Sequence, residues 1–434
     1  MITQHAPADR NDLRDRALAG VVLAERPAPD RPRPEQRDSA KPFTLDAVFT
    51  RAAHRRPAAI AVWDGAGRLT YGRAEIRATQ LASALVRGGV QLGDPVIVHC
   101  DDHLQSVVAQ LAVLKSGGVC VPVAHGASGA ALARTAEVSG AQAVLCSMST
   151  RGAWPSGSPV IALDDPEVRE RLSAVRADPS LPRSGPLDAA YLLVDEDGGP
   201  AAGGQLVDHR AWQCLLAARM REVGPVDSAV AVRERPAGPR TLSAMWWAFA
   251  GGGTLYHRSR DGELVHGLGW ARTAAAVFSP QEYRGVLAAL AATPDPAGPR
   301  TVVLVGGPCP QDLAELHFAV LPRTALRAEF TPAGGVMPWT VQEYAPGAGP
   351  RRVPAAGVGS PVPNVHVEVL DQDGLALPPG RVGEVCATGP SLPFERVGAF
   401  DADRPDLGLL HRSDWLGRWR ADGTLELTGA RLSA

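Results

Sequence analysis

Residues 188–210 read Asp-Ala-Ala-Tyr-Leu-Leu-Val-Asp-Glu-Asp-Gly-Gly-Pro-Ala-Ala-Gly-Gly-Gln-Leu-Val-Asp-His-Arg. The apolar run at 191–194 predicts a buried strand, and the glycines and proline that follow it predict a loop. A second strand is predicted at 205–207, and a helix is expected to begin near His209. A glycine-rich loop after a strand often binds phosphate, because its backbone N–H groups can point at an anion.

This loop also carries three consecutive carboxylates, Asp195, Glu196 and Asp197, and it contains no lysine or arginine. Three negative charges at such a place would repel a polyphosphate. The stretch therefore has the architecture of a nucleotide loop without the groups that would bind a nucleotide.

Length and charge narrow the function classes. A chain of 434 residues can bury a large core and is expected to form more than one lobe. The formal net charge of -2 favours neither nucleic acid nor an anionic membrane as a partner. The longest apolar run, at 242–255, contains three glycines and is too short to span a bilayer. The N-terminus has no hydrophobic signal core, so a cytoplasmic location is expected.

Cysteine and lysine usage is also informative. The cysteines have no paired spacing, so neither a disulfide framework nor a zinc site is expected, and no metal ligand set is assigned. They are Cys100, Cys120, Cys146, Cys214, Cys309 and Cys386. Only two lysines occur, Lys41 and Lys115, which limits any mechanism that needs a lysine to these two side chains.

Residues 1–40 are expected to form a separate region. Leu13, Leu18, Val21 and Val22 share one face of a predicted short helix, and the prolines that follow favour an extended linker. This region is interpreted either as a disordered tail or as a docking helix with an inter-module linker.

From Phe43 onward, strands and helices alternate, and this alternation predicts a doubly wound, mostly parallel α/β fold in residues 41–434. Helices are predicted at 45–55, 72–88, 104–116, 129–139, 210–222, 241–250 and 281–292. Strands are predicted at 59–63, 68–70, 95–99, 119–123, 143–146, 191–194, 205–207, 274–278 and 301–305. Short strands and turns dominate at about 355–434, where a small β-rich subdomain is expected.

Several motifs occur in an order that resembles the adenylation domains of nonribosomal peptide synthetases, which belong to the superfamily of adenylate-forming enzymes. They are Leu69-Thr70-Tyr71 with Glu75, Leu114-Lys115-Ser116-Gly117-Gly118-Val119-Cys120-Val121-Pro122, Gly359-Ser360-Pro361-Val362-Pro363-Asn364, Val369-Leu370-Asp371, Pro378-Pro379-Gly380, Val382-Gly383-Glu384-Val385 and Leu416-Gly417-Arg418-Trp419-Arg420-Ala421-Asp422-Gly423. The resemblance covers about 43–434. It implies the large N-terminal core of an adenylate-forming enzyme, with two helix-flanked, mostly parallel sheets and a small distorted β-barrel.

The motifs of the family's phosphate loop are not matched in the same way. The family has Tyr-Thr-Ser-Gly-Thr-Thr-Gly-x-Pro-Lys-Gly before a segment that ends in His-Arg. Aligned on Tyr191 and on His209-Arg210, the family's Thr-Ser-Gly falls on Asp195, Glu196 and Asp197. Its next Thr-Thr-Gly falls on Gly198, Gly199 and Pro200, and its lysine falls on Gly203. Carboxylates and glycines therefore replace the donors and the cation that the resemblance would require.

The substrate anchor differs as well. Family members hold the ammonium group of an amino acid with the Asp of a Phe-Asp-x-Ser motif, and that position falls on Pro239 with Arg240 beside it. A site without a carboxylate and with a cation nearby is not expected to hold an α-ammonium group.

Positions that the resemblance assigns to the nucleotide pocket differ too. The aromatic residue that would stack on adenine is retained as Phe330, whereas the following Thr and the magnesium-binding Glu have become Ala333 and Gly334. The ribose-binding Asp falls on Trp415, and Asp414 lies one position earlier. We expect Trp415 to fill the ribose site, although a shift of register would place Asp414 there instead.

The resemblance also implies a small C-terminal lobe with a catalytic lysine. The sequence stops at Ala434, where that lobe would begin, so the lobe is expected to be absent. Lys115 falls at a predicted helix end and Lys41 in the linker, so neither is expected to take the catalytic role. Asp101-Asp102-His103 could suggest a metal site, but the cluster follows a predicted strand and is interpreted as the cap of the next helix. Asp208 and His209 resemble a catalytic pair only by adjacency, because neighbouring residues of a helix do not face each other. Neither cluster is assigned a role in chemistry.

These observations favour a catalytically inactive adenylation-like domain that binds neither ATP nor magnesium. It would act as a structural or docking platform for a carrier or tailoring domain, with the carrier loaded in trans. No adenylation activity of its own is expected. Two alternatives stay open: an adenylate-forming ligase with an unusual substrate and a separate C-terminal lobe, and a small-molecule-binding protein that reuses the pocket.

Overall fold

The computed structural model describes residues 43–65, 67–155, 159–178, 180–194, 203–267, 270–293, 296–332, 335–344, 357–398 and 410–430. The helix and linker predicted within residues 1–40 lie outside these ranges.

Seven helices of the described ranges agree with the predicted ones to within two residues at each end, and four others, at 148–151, 166–173, 261–266 and 311–320, were not predicted. In chain order the helices are α1 (Leu45–Arg55), α2 (Tyr71–Arg87), α3 (His103–Lys115), α4 (Gly129–Ser139), α5 (Met148–Arg151), α6 (Pro166–Ser173), α7 (His209–Glu222), α8 (Pro239–Gly251), α9 (Asp261–His266), α10 (Pro280–Ala291) and α11 (Gln311–Val320). A short 3-10 turn covers Trp270–Arg272. Local capping fixes several of these starts: Asp102 and Asp208 accept hydrogen bonds from the backbone N–H groups of Gln105 and Ala211, at 2.8 and 2.7 Å.

The strands are distributed over two sheets. They are β1 (Ile60–Asp64), β2 (Gly67–Thr70), β3 (Pro95–His99), β4 (Val119–Pro122), β5 (Ala143–Cys146), β6 (Val160–Ala162), β7 (Ala189–Val194), β8 (Gly203–Asp208), β9 (Ala229–Val232), β10 (Thr254–His257), β11 (Thr273–Phe278), β12 (Thr301–Gly306), β13 (Ala325–Phe330), β14 (Thr340–Tyr344), β15 (Gly357–Pro361), β16 (His366–Leu370), β17 (Gly383–Thr388), β18 (Glu395–Gly398), β19 (His411–Trp419) and β20 (Leu425–Ala430).

The smaller sheet has the order β18-β8-β7-β4-β3-β5-β6. Its strands from β7 to β6 run parallel, with β4 and β5 on opposite sides of β3, as in a doubly wound fold. Strands β8 and β18 continue it in antiparallel fashion. The sheet is therefore mixed, with its parallel part where the sequence predicts alternating strands and helices.

The larger sheet has the order β16-β17-β19-β20-β15-β14-β13-β12-β11-β9-β10-β1-β2. Strands from β13 to β1 are parallel, and the remaining pairs are antiparallel. The α/β prediction is confirmed. The strands of 357–430, expected to form a small barrel, do not close on one another within the described ranges. They extend the larger sheet instead, because β15 pairs with both β14 and β20.

Helix α3 connects the two sheets. Most of its residues are buried, and it packs against β3 and β4 of the smaller sheet as well as β1 and β2 of the larger one. A chain of buried hydrogen bonds continues from this helix: Tyr191 donates to Gln110 at 2.9 Å and accepts from the indole of Trp246 at 2.8 Å. The core thus joins α3, β7 and α8 by polar contacts within an apolar interior. Among the described helices, none is both long and apolar enough to cross a membrane.

Lys115 is the last residue of α3, as the sequence predicts, and its ammonium group lies between two other helices. Its Nζ atom is 2.7 Å from Glu75 Oε1 on α2 and 2.7 Å from Thr50 Oγ1 on α1. The lysine side chain is 9% exposed and that of Glu75 is 17% exposed, so solvent screens this pair only partly. Lys115 therefore has a structural role.

We expect Lys115→Met to lower the free energy of unfolding by about 1–3 kcal/mol, because the Glu75 carboxylate loses its cation in a largely buried place. Combining it with Glu75→Leu should recover much of that loss, because an apolar pair needs no desolvation of charge. Urea denaturation of the two variants measures both effects. The exposed Arg169→Met on α6 is the matched control, and equal stability of Lys115→Met and the unchanged chain would contradict the assigned role.

Candidate functional site

The loop that follows β7 is the first candidate feature. Asp195, Glu196, Asp197, Gly198, Gly199 and Pro200 lie outside the described residues, so the expectation that they repel phosphate stays a prediction. Gly203, at the position of the family's lysine, is the first residue of β8 and pairs with Gly398 of β18. The backbone at this position is thus part of a sheet, and the residue has no side chain that could reach an anion.

Beside this strand lies a cavity of about 40 Å³. Ligand sites for drug-sized molecules commonly have volumes of about 300–1,000 Å³, so the space between the described residues is small by comparison. Its walls come from β7, β8, β19 and the segments around β14 and β18. The lining residues are Leu193, Gln205, Val207, Pro332, Gly335, Val336, Met337, Trp339, Pro393, Arg396, His411, Arg412 and Asp414.

Phe330, which the sequence assigns to adenine stacking, is 1% exposed and does not line this cavity. Two tryptophans approach it edge-on: the ring centroids of Trp339 and Trp415 both lie 6.3 Å from that of Phe330, at 81° and 84°. Such geometry is favourable between aromatic rings. The structure therefore brings Phe330 and Trp415 together in a packed cluster. Ala333 and Gly334, which follow Phe330 in the chain, lie outside the described residues.

Asp414 is the predicted nucleotide-pocket residue that does line the cavity. It has the left-handed backbone conformation, with φ at 56°, which aspartate tolerates better than most residues. This bend interrupts the regular alternation of β19 and lets Ser413 donate to the Val385 carbonyl at 2.7 Å. Asp414 and Trp415 consequently point to different surroundings, one at the cavity and one against Phe330.

Two arginines of the cavity were missed by the sequence analysis. Arg412 forms an ion pair with Glu384, and Arg396 lies on β18. His411, next to Arg412, has its Nε2 atom 2.8 Å from the Pro393 carbonyl. Arg412 stands two positions before Asp414, close to positions that the resemblance identifies, and this closeness was the available signal. Arg396 stands in a segment without any matched motif.

The predicted substrate anchor lies at the start of α8. Pro239 is its first residue, and Arg240 follows with its guanidinium between two carboxylates: Nη2 is 2.5 Å from Glu234 Oε1 and Nε is 3.2 Å from Glu282 Oε2. Burial raises the pKa of Glu234, and the charge of Arg240 opposes this effect. The arginine that the sequence placed beside the substrate position is thus compensated within the protein. Neither residue lines the 40 Å³ cavity.

A buried ion-pair cluster at the other side of α8 also escaped the sequence analysis. Arg219 of α7 contacts both carboxylate oxygens of Glu329 on β13, at 3.2 and 2.5 Å, and donates to the Ser243 carbonyl of α8 at 3.2 Å. Arg327 contacts the same Glu329 at 3.1 Å. Burial alone would raise the pKa of Glu329, but the two guanidinium groups hold it below its usual range. The adjoining cavity has a volume of only about 10 Å³.

Asp208 and His209 do not form a catalytic pair. Asp208 caps α7, while His209 Nδ1 accepts from the Leu45 backbone N–H at 3.1 Å. Burial lowers the pKa of His209 to about 4, so its imidazole is neutral at pH 7. Both residues therefore hold the start of α7 against α1.

The chain is similar to known proteins over most of its length. Residues 49–197 and 240–393 match the family described as AMP-binding enzyme. Phosphinothricin tripeptide synthetase PhsB of Streptomyces viridochromogenes is 28% identical over 98% of this chain and 37% of its own length. PhsC of the same organism is 30% identical over 89% of this chain and 36% of its length. The chain thus spans little more than a third of these two relatives.

Tyrocidine synthase 2 of Brevibacillus parabrevis is 26% identical over 89% of this chain and 11% of its own length. Two solved structures share the fold. The nonribosomal peptide synthetase FmoA3 has a TM-score of 0.79 at 22% identity, covering 91% of this chain and 43% of that one. VinN has a TM-score of 0.78 at 19% identity, and the match covers 90% of this chain and 100% of VinN. By these matches, the chain belongs to the AMP-binding enzyme family, as an adenylation-type domain of the nonribosomal peptide synthetase kind within the adenylate-forming superfamily.

Proposed function

We propose that this domain is catalytically inactive and serves a nonribosomal peptide assembly line as a structural and docking platform. A carrier or tailoring domain would bind to it, and the carrier would be loaded in trans by another enzyme. The observation that supports this most is the edge-on packing of two tryptophans, Trp339 and Trp415, against Phe330, the residue that the resemblance assigns to adenine stacking.

Charge supports the same proposal. Catalysis of adenylation requires groups that stabilise negative charge on the α-phosphate, and such electrostatic effects are commonly the largest contribution to rate. The family's lysine position is Gly203, and its magnesium-ligand position is Gly334. Arg240 is compensated by Glu234 and Glu282, and Arg219 by Glu329. These two arginines are therefore not offered to an anionic ligand.

Retention of the fold supports a role for an outer surface. Most substitutions destabilise a protein whose total stability is only about 5–15 kcal/mol, so an unconstrained chain loses its packing as readily as its site. Here the core motifs are retained, with buried side-chain hydrogen bonds and capped helices. Several active-site positions, in contrast, differ from the family's residues. The relatives named as peptide synthetases supply the context in which a carrier or tailoring domain would be the partner.

We expect calorimetry to detect no binding of Mg²⁺-ATP up to millimolar concentration, which corresponds to a binding free energy weaker than about -4 kcal/mol. The packed Phe330 cluster and the carboxylates at 195–197 are the physical reasons. An adenylation domain that is known to bind ATP is the control for the quality of the protein and of the ligand. Magnesium-dependent binding of ATP in the micromolar range would contradict the proposed function.

A loop graft serves as a further arm of this experiment. Replacing residues 195–200 by Thr-Ser-Gly-Thr-Thr-Gly should not restore ATP binding, because Trp415 still packs on Phe330 and position 334 still lacks a carboxylate. Adding Gly334→Glu and Trp415→Asp to the graft tests whether those positions are the remaining obstacles. Recovery of ATP affinity by the loop graft alone would mean that the pocket is less altered than we propose.

We expect the full chain to bind a purified carrier, condensation or tailoring domain encoded beside it, measured by calorimetric titration. Leu193→Phe, which places bulk at the cavity, should leave that affinity unchanged because the partner binds an outer surface. A second form without residues 1–40 tests the N-terminal region as the docking element. If none of these domains binds either form while a small molecule binds the unchanged chain tightly, the docking role is wrong and reuse of the pocket takes its place.

A further inference from the structure

Three side chains meet at a place that the proposed function does not use. Strands β1 and β10 pair in parallel, with Trp63 opposite Tyr256, and Asp64 and His257 are the next residues of each strand. Neighbouring residues of parallel strands project to the same face, so Asp64 and His257 lie side by side. His103, the first residue of α3, reaches them from the adjacent helix. Carboxyl ends of parallel strands are common places for ligand sites.

The three side chains are close enough to share one ligand. One donor atom of each residue lies within 4.8 Å of the corresponding atoms of the other two. The imidazole rings of His103 and His257 have centroids 4.0 Å apart at an angle of 35°, and His103 Nδ1 is 3.5 Å from Asp64 Oδ2. The His103 backbone N–H donates to the same Oδ2 atom at 3.0 Å, which fixes the carboxylate relative to the helix.

One of the two imidazole rings has the hydrogen bond that commonly orients a metal-binding histidine. His257 Nε2 lies 3.2 Å from the Arg233 carbonyl, so a protonated Nε2 donates to that oxygen and leaves the lone pair on Nδ1. Metal-bound histidines are usually oriented by such a hydrogen bond from the second nitrogen to a carbonyl or carboxylate. His103 is 1% exposed, and its Nε2 atom has no hydrogen-bond partner among the described residues. A buried nitrogen without a partner is unfavourable unless something binds it.

Local charge also suits a cation. Two carboxylates, those of Asp64 and Asp102, accept hydrogen bonds from backbone N–H groups at the start of α3. The positive charge of Arg258 would oppose the binding of a cation here. Its guanidinium, however, makes cation–π contacts with the rings of Tyr256 and Trp63, at 5.2 and 5.9 Å from their centroids.

We propose that Asp64, His103 and His257 bind one divalent ion of the zinc class. Two imidazole nitrogens and one carboxylate oxygen suit Zn²⁺ and its transition-metal neighbours, whereas Mg²⁺ and Ca²⁺ prefer all-oxygen sites. Bonds of about 2.0–2.2 Å require the donor atoms to lie closer together than 4.8 Å, so binding would also require small rotations of the side chains. His257 is only partly buried, so a water molecule can reach the fourth position.

The bound ion would connect two strands of the larger sheet to α3, the helix that packs on both sheets. Its role would be to stabilise this junction, because a metal that binds only the folded state shifts the folding equilibrium. This inference is independent of the proposed function, since it concerns neither the nucleotide nor the docking partner. It also departs from the sequence analysis, which assigned no metal ligands.

The test uses the full chain after treatment with EDTA and dialysis. Calorimetry with ZnCl₂ is expected to give one ion per chain with a Kd at or below about 1 µM. Co²⁺ should give the visible d–d absorption of a four- or five-coordinate ion, and 1 mM Mg²⁺ should give no response (about a thousandfold selectivity). Zinc should also raise the melting temperature of the chain in a concentration-dependent manner.

Asp64→Asn, His103→Gln and His257→Gln should each weaken zinc binding by more than about tenfold and abolish the cobalt absorption. His54→Gln, an exposed histidine on α1, is the matched control and should bind as the unchanged chain does. His257 is the most exposed of the three side chains, so its variant is expected to fold even if the variants at the buried Asp64 and His103 do not. The test can then be decided on His257→Gln. Zinc binding weaker than about 100 µM, or equal binding by the unchanged chain and His257→Gln, would overturn the proposal.

Discussion

Glu329 is a buried carboxylate whose charge must be compensated inside the protein, and much of the region around the candidate site is arranged to do so. Arg219 contacts both of its oxygens from α7, and Arg327 contacts it from its own strand. Arg327 then reaches Glu222 and Glu343, each at 2.6 Å. Removing one member of such a cluster commonly costs several kcal/mol, because the remaining charge has no water to solvate it.

This cluster limits what the neighbouring space can do. Arg219 also binds the Ser243 carbonyl and stacks over Trp247, with 5.2 Å from its guanidinium carbon to the ring centroid, so α7, α8 and β13 are held together. Phe330 follows Glu329 directly and is packed edge-on by Trp339 and Trp415. Charge compensation and aromatic packing therefore occupy adjacent positions of one strand. Opening this region for a ligand would require both to be undone, which explains why we propose a scaffold and not a working nucleotide site.

Much of the fold was predictable because its signals are local. The strand at 95–99 and the helices at 45–55 and 129–139 have the predicted bounds, since an apolar run or an amphipathic period is bounded by proline, glycine or a capping residue. The expected barrel was wrong because short strands after 355 indicate β structure but not their partners. Pairing of β15 with β14 and β20 depends on contacts distant in the sequence.

The site was less predictable for the same reason. Motif positions identified Phe330, Asp414 and Trp415, but no pattern in the sequence connects Arg219 to Glu329, which lie 110 residues apart. Arg240 was recognised beside the anchor position, yet its compensation by Glu234 and Glu282 follows only from the fold. Asp64, His103 and His257 likewise come from two strands and a helix that carry no metal-binding spacing. Contacts of this kind become visible once the sheet order is known.

Pyrophosphate exchange tests the central claim most directly, because it reports adenylate formation itself. The full chain would be incubated with Mg²⁺-ATP, labelled pyrophosphate and each common amino acid in turn, with and without a C-terminal lobe supplied from a synthetase relative. An adenylation domain that is known to be active provides the positive control. Our account predicts no exchange above the protein-free background under any condition. Exchange that depends on one amino acid and disappears with EDTA would contradict it.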